Sequence, residues 1–143
     1  MKTKMYSKIK TVPEDAIDEL GHVNNVKYLQ WVLEVSERHW SSTVPLAIRE
    51  KVYWVVLNHF IEYKNPAFLN DTLVLKTWVT KMEGVRSERH VEIKRKKDDK
   101  IIVKAKTLWC LVDSKTLRPK RITSEIKIGF LNEPKSPTIK QSE

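Results

Sequence analysis

The sequence predicts an α+β domain in which one long helix near the N-terminus is wrapped by a curved antiparallel sheet. Two observations carry that expectation: a single apolar-rich helical segment at residues 24–40, and β-rich segments, one short before it and four long after it. The later segments follow one another through turn-like links, which favours antiparallel neighbours with one face on the helix. Periodicity alone leaves other α+β arrangements open.

Residues 5–12 mix apolar, aromatic and β-branched side chains with Lys and Ser in near alternation, and Pro13 ends this first strand. Residues 13–21 are acidic and turn-like. Asn24 or Asn25 then supplies an N-cap, because a short side-chain oxygen can accept from an unpaired N–H of the first helical turn. Val26, Tyr28, Leu29, Trp31, Val32, Leu33 and Val35 cover most of the helix circumference. Only a narrow polar stripe remains at Lys27, Gln30, Glu34, Glu37 and Arg38, so the helix is expected to be largely buried.

A short helix is expected at residues 45–50. Strands follow at 53–63, closed by Asn65-Pro66, and at 72–81, closed by Glu83-Gly84. Within 85–95, Arg86, Glu88, His90, Glu92 and Lys94 fall on one face, with Val85, Val91 and Ile93 on the other. Lys97-Asp98-Asp99-Lys100 turns this strand into another at 101–112, and a short helix is expected at 124–130. Residues 1–131 therefore read as one domain, and the aperiodic, proline-containing residues 132–143 as a flexible tail.

With 143 residues and 41% hydrophobic side chains, the chain can bury one core. No segment has the roughly 18 consecutive apolar residues of a membrane span, and the N-terminal residues lack a signal-peptide apolar run, so a cytoplasmic location is expected. Cys110 is the single cysteine, which excludes an intramolecular disulfide, a redox pair and a Cys-rich zinc site. Neither a trusted metal-ligand spacing nor a phosphate-cradling glycine loop is evident, so no metal and no cofactor is expected.

The chemistry-bearing segment is Asp18-Glu-Leu-Gly-His22-Val-Asn24-Asn25-Val-Lys-Tyr28, which sets an acid, an imidazole and two amides just before the long helix. A helix start exposes N–H groups that stabilise developing negative charge, and a nearby carboxylate can drive attack on a carbonyl. Acyl transfer is the reaction this suggests.

This segment resembles the signature of hotdog-fold acyl thioesterases, especially the 4-hydroxybenzoyl-CoA thioesterase-like group and the plant acyl-acyl-carrier-protein (acyl-ACP) thioesterases. Asp18, His22, Asn24, Asn25 and Tyr28 match that pattern, and similarity continues through Asn65-Pro66-Ala67, Asn70-Asp71-Thr72-Leu73 and residues 113–122. It covers residues 5–130. The resemblance implies a hotdog fold and hydrolysis of fatty acyl-CoA or acyl-ACP thioesters. It also implies a homodimer or dimer of dimers, because the plant enzymes carry two hotdog repeats where this chain carries one. Leu20 stands where the plant enzymes have Asn.

Under this reading Asp18 is a general base for water or a nucleophile, and His22 orients water or substrate. Asp18 also reads as a turn-capping residue, and His22 as an anchor of the loop. Asn24 and Asn25 are expected to shape the loop and cap the helix, and Tyr28 to pack one turn inside. Asp15, His39 and His90 are assigned no role. Asn58 and His59 interrupt an otherwise apolar strand, so one of them must face inward or into an interface; in hotdog dimers this strand faces the other subunit's acid.

A net charge of +9, concentrated in Lys94-Arg-Lys-Lys97 and the Lys and Arg residues of 100–121, suits the phosphates of CoA or the acidic face of acyl carrier protein. Two other function classes fit the same chain. One is a non-catalytic acyl-CoA or acyl-ACP binding module, which Leu20 would permit. The other is a basic single-stranded nucleic-acid binder using Trp54, Trp78 and Trp109, although no RNA-binding signature accompanies them.

Overall fold

The structure is a computed structural model that describes residues 4–131. The expected tail at 132–143 lies outside the described residues. Five strands, β1 (Met5–Thr11), β2 (Val52–Tyr63), β3 (Thr72–Glu83), β4 (Arg86–Arg95) and β5 (Ile101–Asp113), form one sheet in the order β1-β3-β4-β5-β2. All four pairings are antiparallel. Three α-helices, α1 (Asn25–Thr43), α2 (Leu46–Arg49) and α3 (Ser124–Phe130), and a short 3-10 turn at Glu14–Ala16 complete the described residues. This is the expected helix wrapped by a sheet.

The cap is Asn24, whose side chain accepts from Val26 N–H at 2.8 Å and so closes one orphan donor of α1. From that start α1 lays Tyr28, Trp31, Val32, Val35, Ser36 and His39 against the sheet. The expectation of a helix buried nearly all round needs correction. Val26 is 62% exposed, and Leu29 and Leu33 are only half-buried, because the sheet covers a single side of the helix.

On β4 the outer row is Arg86, Glu88, His90, Glu92 and Lys94, as the alternation predicts. The inner row reads Ser87, Arg89, Val91, Ile93 and Arg95, so two arginines join the apolar residues beneath the helix. Both have polar partners, but among the described residues only Arg95 has a carboxylate. Arg95 grips Asp98 at 3.0–3.1 Å and donates to Pro66 O at 2.9 Å. His39, expected at a polar position, is likewise buried, because Arg89 and the Tyr6 and Phe130 rings enclose it.

A β-bulge lies between Val56 and Asn58 on β2, inserting Leu57. It decides which polar residue reaches the neighbouring strand: His59 pairs with Thr107 and its Nδ1 lies 2.8 Å from Thr107 Oγ1, although both His59 and Asn58 are exposed. As the last strand in the sheet, β2 leaves one edge unpaired among the described residues, and Tyr53, Val55, Leu57, Phe60 and Tyr63 are exposed along it.

Candidate active site

The loop before α1 is held from three directions. Ile17 and Val23 form an isolated bridge, Asn24 N–H donates to Ala16 O at 2.9 Å, and Val23 N–H donates to Ala67 O at 2.9 Å. Between these ties the chain reverses at Gly21, whose φ of +84° is costly for a residue with a Cβ. Gly21 N–H donates to Asp18 O, and Asp18 N–H to His22 O, each at 3.0 Å. Residues 18–22 thus form a rigid turn rather than a loose connector.

That turn brings Asp18 and His22 together. His22 Nδ1 stands 3.9 Å from Asp18 Oδ1, and both side chains are partly exposed, at 35% and 23% respectively. Leu20 N–H donates to Asp18 Oδ1 at 2.9 Å, which leaves Oδ2 open. The Leu20 side chain is 75% exposed, so that position contributes only its backbone.

At the start of α1, Val26 N–H is taken by Asn24 and Lys27 N–H donates to Asn24 O at 2.9 Å. Asn25 N–H has no partner among the described residues. It is the free donor at the positive end of the helix, where an oxygen gaining negative charge is favoured. His22, Asn25, Tyr28, Tyr63, Lys64 and Pro66 are among the residues lining a cleft of about 180 Å³ beside the loop.

Tyr28 does more than pack. Its hydroxyl accepts from Ala67 N–H at 3.0 Å, tying α1 to the 65–71 loop, and burial raises its pKa above the ordinary tyrosine value. Asp15 is exposed, as expected. Asp18, Asn58 and His59 are not among the residues that line this cleft. His59 precedes Tyr63 by four positions, about 13 Å along a strand rising about 3.3 Å per residue. Sequence reasoning also overlooked Lys64, Asn65 and Pro66 as lining residues, because they come from the opposite end of the sheet order.

A carboxylate 3.9 Å from an imidazole, and a free amide lining the same cleft as that imidazole, suit attack on an acyl carbonyl. A family model described as the acyl-ACP thioesterase N-terminal domain matches residues 3–130. The chain belongs to this family. It is a thioester hydrolase with a hotdog fold. The chain is 23% identical over 116 residues to the long-chain acyl-CoA thioesterase FadM of Escherichia coli, covering 78% of this chain and 86% of FadM. The 1,4-dihydroxy-2-naphthoyl-CoA thioesterase Slr0204 from Synechocystis superposes with a TM-score of 0.79 at 18% identity, covering 92% of this chain and all (100%) of that one. The 12:0-ACP thioesterase from Umbellularia californica gives 0.77 at 15% identity, covering 96% of this chain and 55% of the plant enzyme.

The three tryptophans of the nucleic-acid reading do not share an exposed face. Trp78 stacks on His90, Trp54 packs edge-on against Trp40, and Trp109 lines an interior cleft. Fold and family account for each.

Proposed function

We propose that the protein hydrolyses acyl-CoA thioesters as a homodimer, with Asp18 as the general base. The observation that carries this reading is the Asp18 carboxylate with Oδ2 open, 3.9 Å from His22, in the turn leading into a helix whose first N–H, that of Asn25, is unpartnered among the described residues. Asp18 takes a proton from water as its oxygen bonds to the acyl carbon, and the carbonyl oxygen gathers charge against Asn25 N–H. The carbon–sulfur bond then breaks, the electron pair leaves on sulfur, and the proton returns from Asp18 to the thiolate. His22 orients the water or the thioester. A thiolate is a good leaving group, so a base and one oxyanion donor supply most of what the step requires.

The carrier reading rests on charge and on likeness. FadM and Slr0204 both act on CoA thioesters. Lys64 lines the cleft, and Arg95 ties the basic β4–β5 turn, with Lys96, Lys97 and Lys100, to the loop that carries Ala67. That cationic end is complementary to phosphates.

The dimer reading rests on the long unpaired β2 edge and its exposed apolar side chains, an arrangement that normally pairs or aggregates. Thiol release from one acyl group on CoA and on acyl carrier protein tests the carrier: a higher kcat/KM on the carrier protein overturns the CoA assignment. A single turnover in heavy-oxygen water tests the role of Asp18. Label in the released acid supports a base, whereas label in the Asp18 carboxylate means that it is the nucleophile.

A further inference from the structure

A larger cleft, of about 320 Å³, opens between the C-terminal half of α1 and the inner face of β2, β4 and β5. Its walls are mainly apolar and aromatic, with Trp40, Trp54, Met82 and Trp109 prominent. Two polar groups in those walls keep unused donors, of which the Trp109 Nε1 is fully buried. Arg89 is 7% exposed, and its Nη1 donates to His39 Nδ1 and Thr77 Oγ1 at 2.9 Å each. Its Nε and Nη2 donate to nothing among the described residues, and no carboxylate there pairs with it. Trp109 Nε1 is buried with no hydrogen-bond partner. Glu37 also lines the cleft, but it is exposed and forms no ion pair with Arg89.

A buried cation is tolerated when it is paired, and an unpaired buried donor is rare. Together, Arg89 and Trp109 give the cleft donors that suit an anion with several acceptor oxygens on an apolar stem. We propose that this cleft is the acyl compartment and that Arg89 selects acyl groups bearing a carboxylate at the end remote from the thioester, with Trp109 Nε1 as a second donor. The proposal rests on the thioesterase reading and names its substrate class. The cleft lies at the lower end of ligand pockets, which span roughly 300–1,000 Å³, so it suits a short or medium chain.

Reach follows from the dimer. Asn25 and Ser36, which line the two clefts, stand about 16 Å apart along a helix rising about 1.5 Å per residue, far for one short substrate. However, Val52 and Tyr53 at the start of β2 line the larger cleft, and Tyr63 at its end lines the smaller. When two β2 edges pair antiparallel about a two-fold axis, the start of one strand lies opposite the end of the other. The acyl compartment of one subunit then abuts the smaller cleft of the other.

Suberyl-CoA and octanoyl-CoA have equal chain length and differ in the remote carboxylate, so their kcat/KM ratio is the direct readout. The wild type is expected to favour suberyl-CoA by roughly tenfold to a hundredfold, the range of one charged hydrogen bond. Arg89→Met removes that preference and Arg89→Lys keeps part of it. A purely structural arginine would lower both substrates together and leave the ratio unchanged, which overturns the proposal. Should the Arg89 variants fail to fold, the wild-type ratio decides alone, and equal or greater activity on octanoyl-CoA overturns the proposal. Titrating the Asp18→Asn protein with both thioesters, followed by tryptophan fluorescence, separates binding from chemistry. Tighter suberyl-CoA binding supports the cleft assignment even if no thioester is cleaved, and equal binding refutes it even if hydrolysis is lost with Asp18.

Discussion

Arg89 Nη1 donates to His39 Nδ1 across 2.9 Å, which fixes the imidazole as a neutral ring carrying its proton on Nε2. His39 stacks on Tyr6 at 5.6 Å and meets Phe130 edge-on at 4.8 Å, while the guanidinium lies 5.6 Å from the same Phe130 ring. One polar pair therefore joins α1, β1, β4 and α3 within the core. Burial pulls Arg89 down to about 10, which leaves it charged at neutral pH.

That pair predicts an acid-sensitive fold. Burial, and then the Arg89 charge, lower the His39 pKa from 6.5 to about 4. Between those values the unfolded chain binds a proton that the folded chain excludes. Stability therefore falls as pH drops from 6.5 to about 4 and gains no further loss from this group below that, a total of roughly 3 kcal/mol. Urea midpoints measured across this range should decline for the wild type and flatten for His39→Gln. Parallel curves for the two proteins would show that His39 does not drive the decline.

Removing the Tyr28 hydroxyl strands the buried Ala67 N–H, which has no other acceptor recorded beside it. Tyr28→Phe should cost about 1–3 kcal/mol of stability, the penalty of one buried unpaired donor. Because Ala67 O also holds Val23 N–H, the loop carrying Asp18 should loosen too. Chemical denaturation reads the first effect, and faster amide exchange at residues 18–24 reads the second. Unchanged values for both would mean that the hydroxyl is expendable.

Lysines at the centre of the β2 edge should separate the subunits. Val55 and Leu57 are each 45% exposed, so Val55→Lys with Leu57→Lys leaves the core intact while placing like charges along both paired edges. Sedimentation should give a monomer with wild-type circular dichroism, and thiol release should drop to background. An active monomer would refute the need for a second subunit.

Local signals were legible in the sequence and long-range ones were not. The helix start and the outer row of β4 depend on neighbouring residues, so spacing sufficed to narrow the cap to Asn24 or Asn25 and to place that row. Asp18 and His22 stood out because a motif places them at a helix start. Parity alone put Arg89 beside Val91 and Ile93, yet a charge argues for solvent until His39 and Thr77, from other elements, are known to receive it. The Leu57 bulge shifts the register by one residue, and strict alternation cannot reveal that shift, which brings His59 against Thr107. The apolar residues around α1 overstated its burial because one sheet covers one side; the remaining side awaits a partner in the proposed dimer.

The most direct measurement is kcat/KM for thiol release by Asp18→Asn beside the wild type, on the same acyl-CoA and at the same pH. Asn preserves the oxygen that accepts from Leu20 N–H, so the fold and melting temperature should persist. The account predicts a loss of about a hundredfold to ten-thousandfold, the usual contribution of a positioned general base. Near-wild-type hydrolysis by a folded Asp18→Asn protein would contradict it.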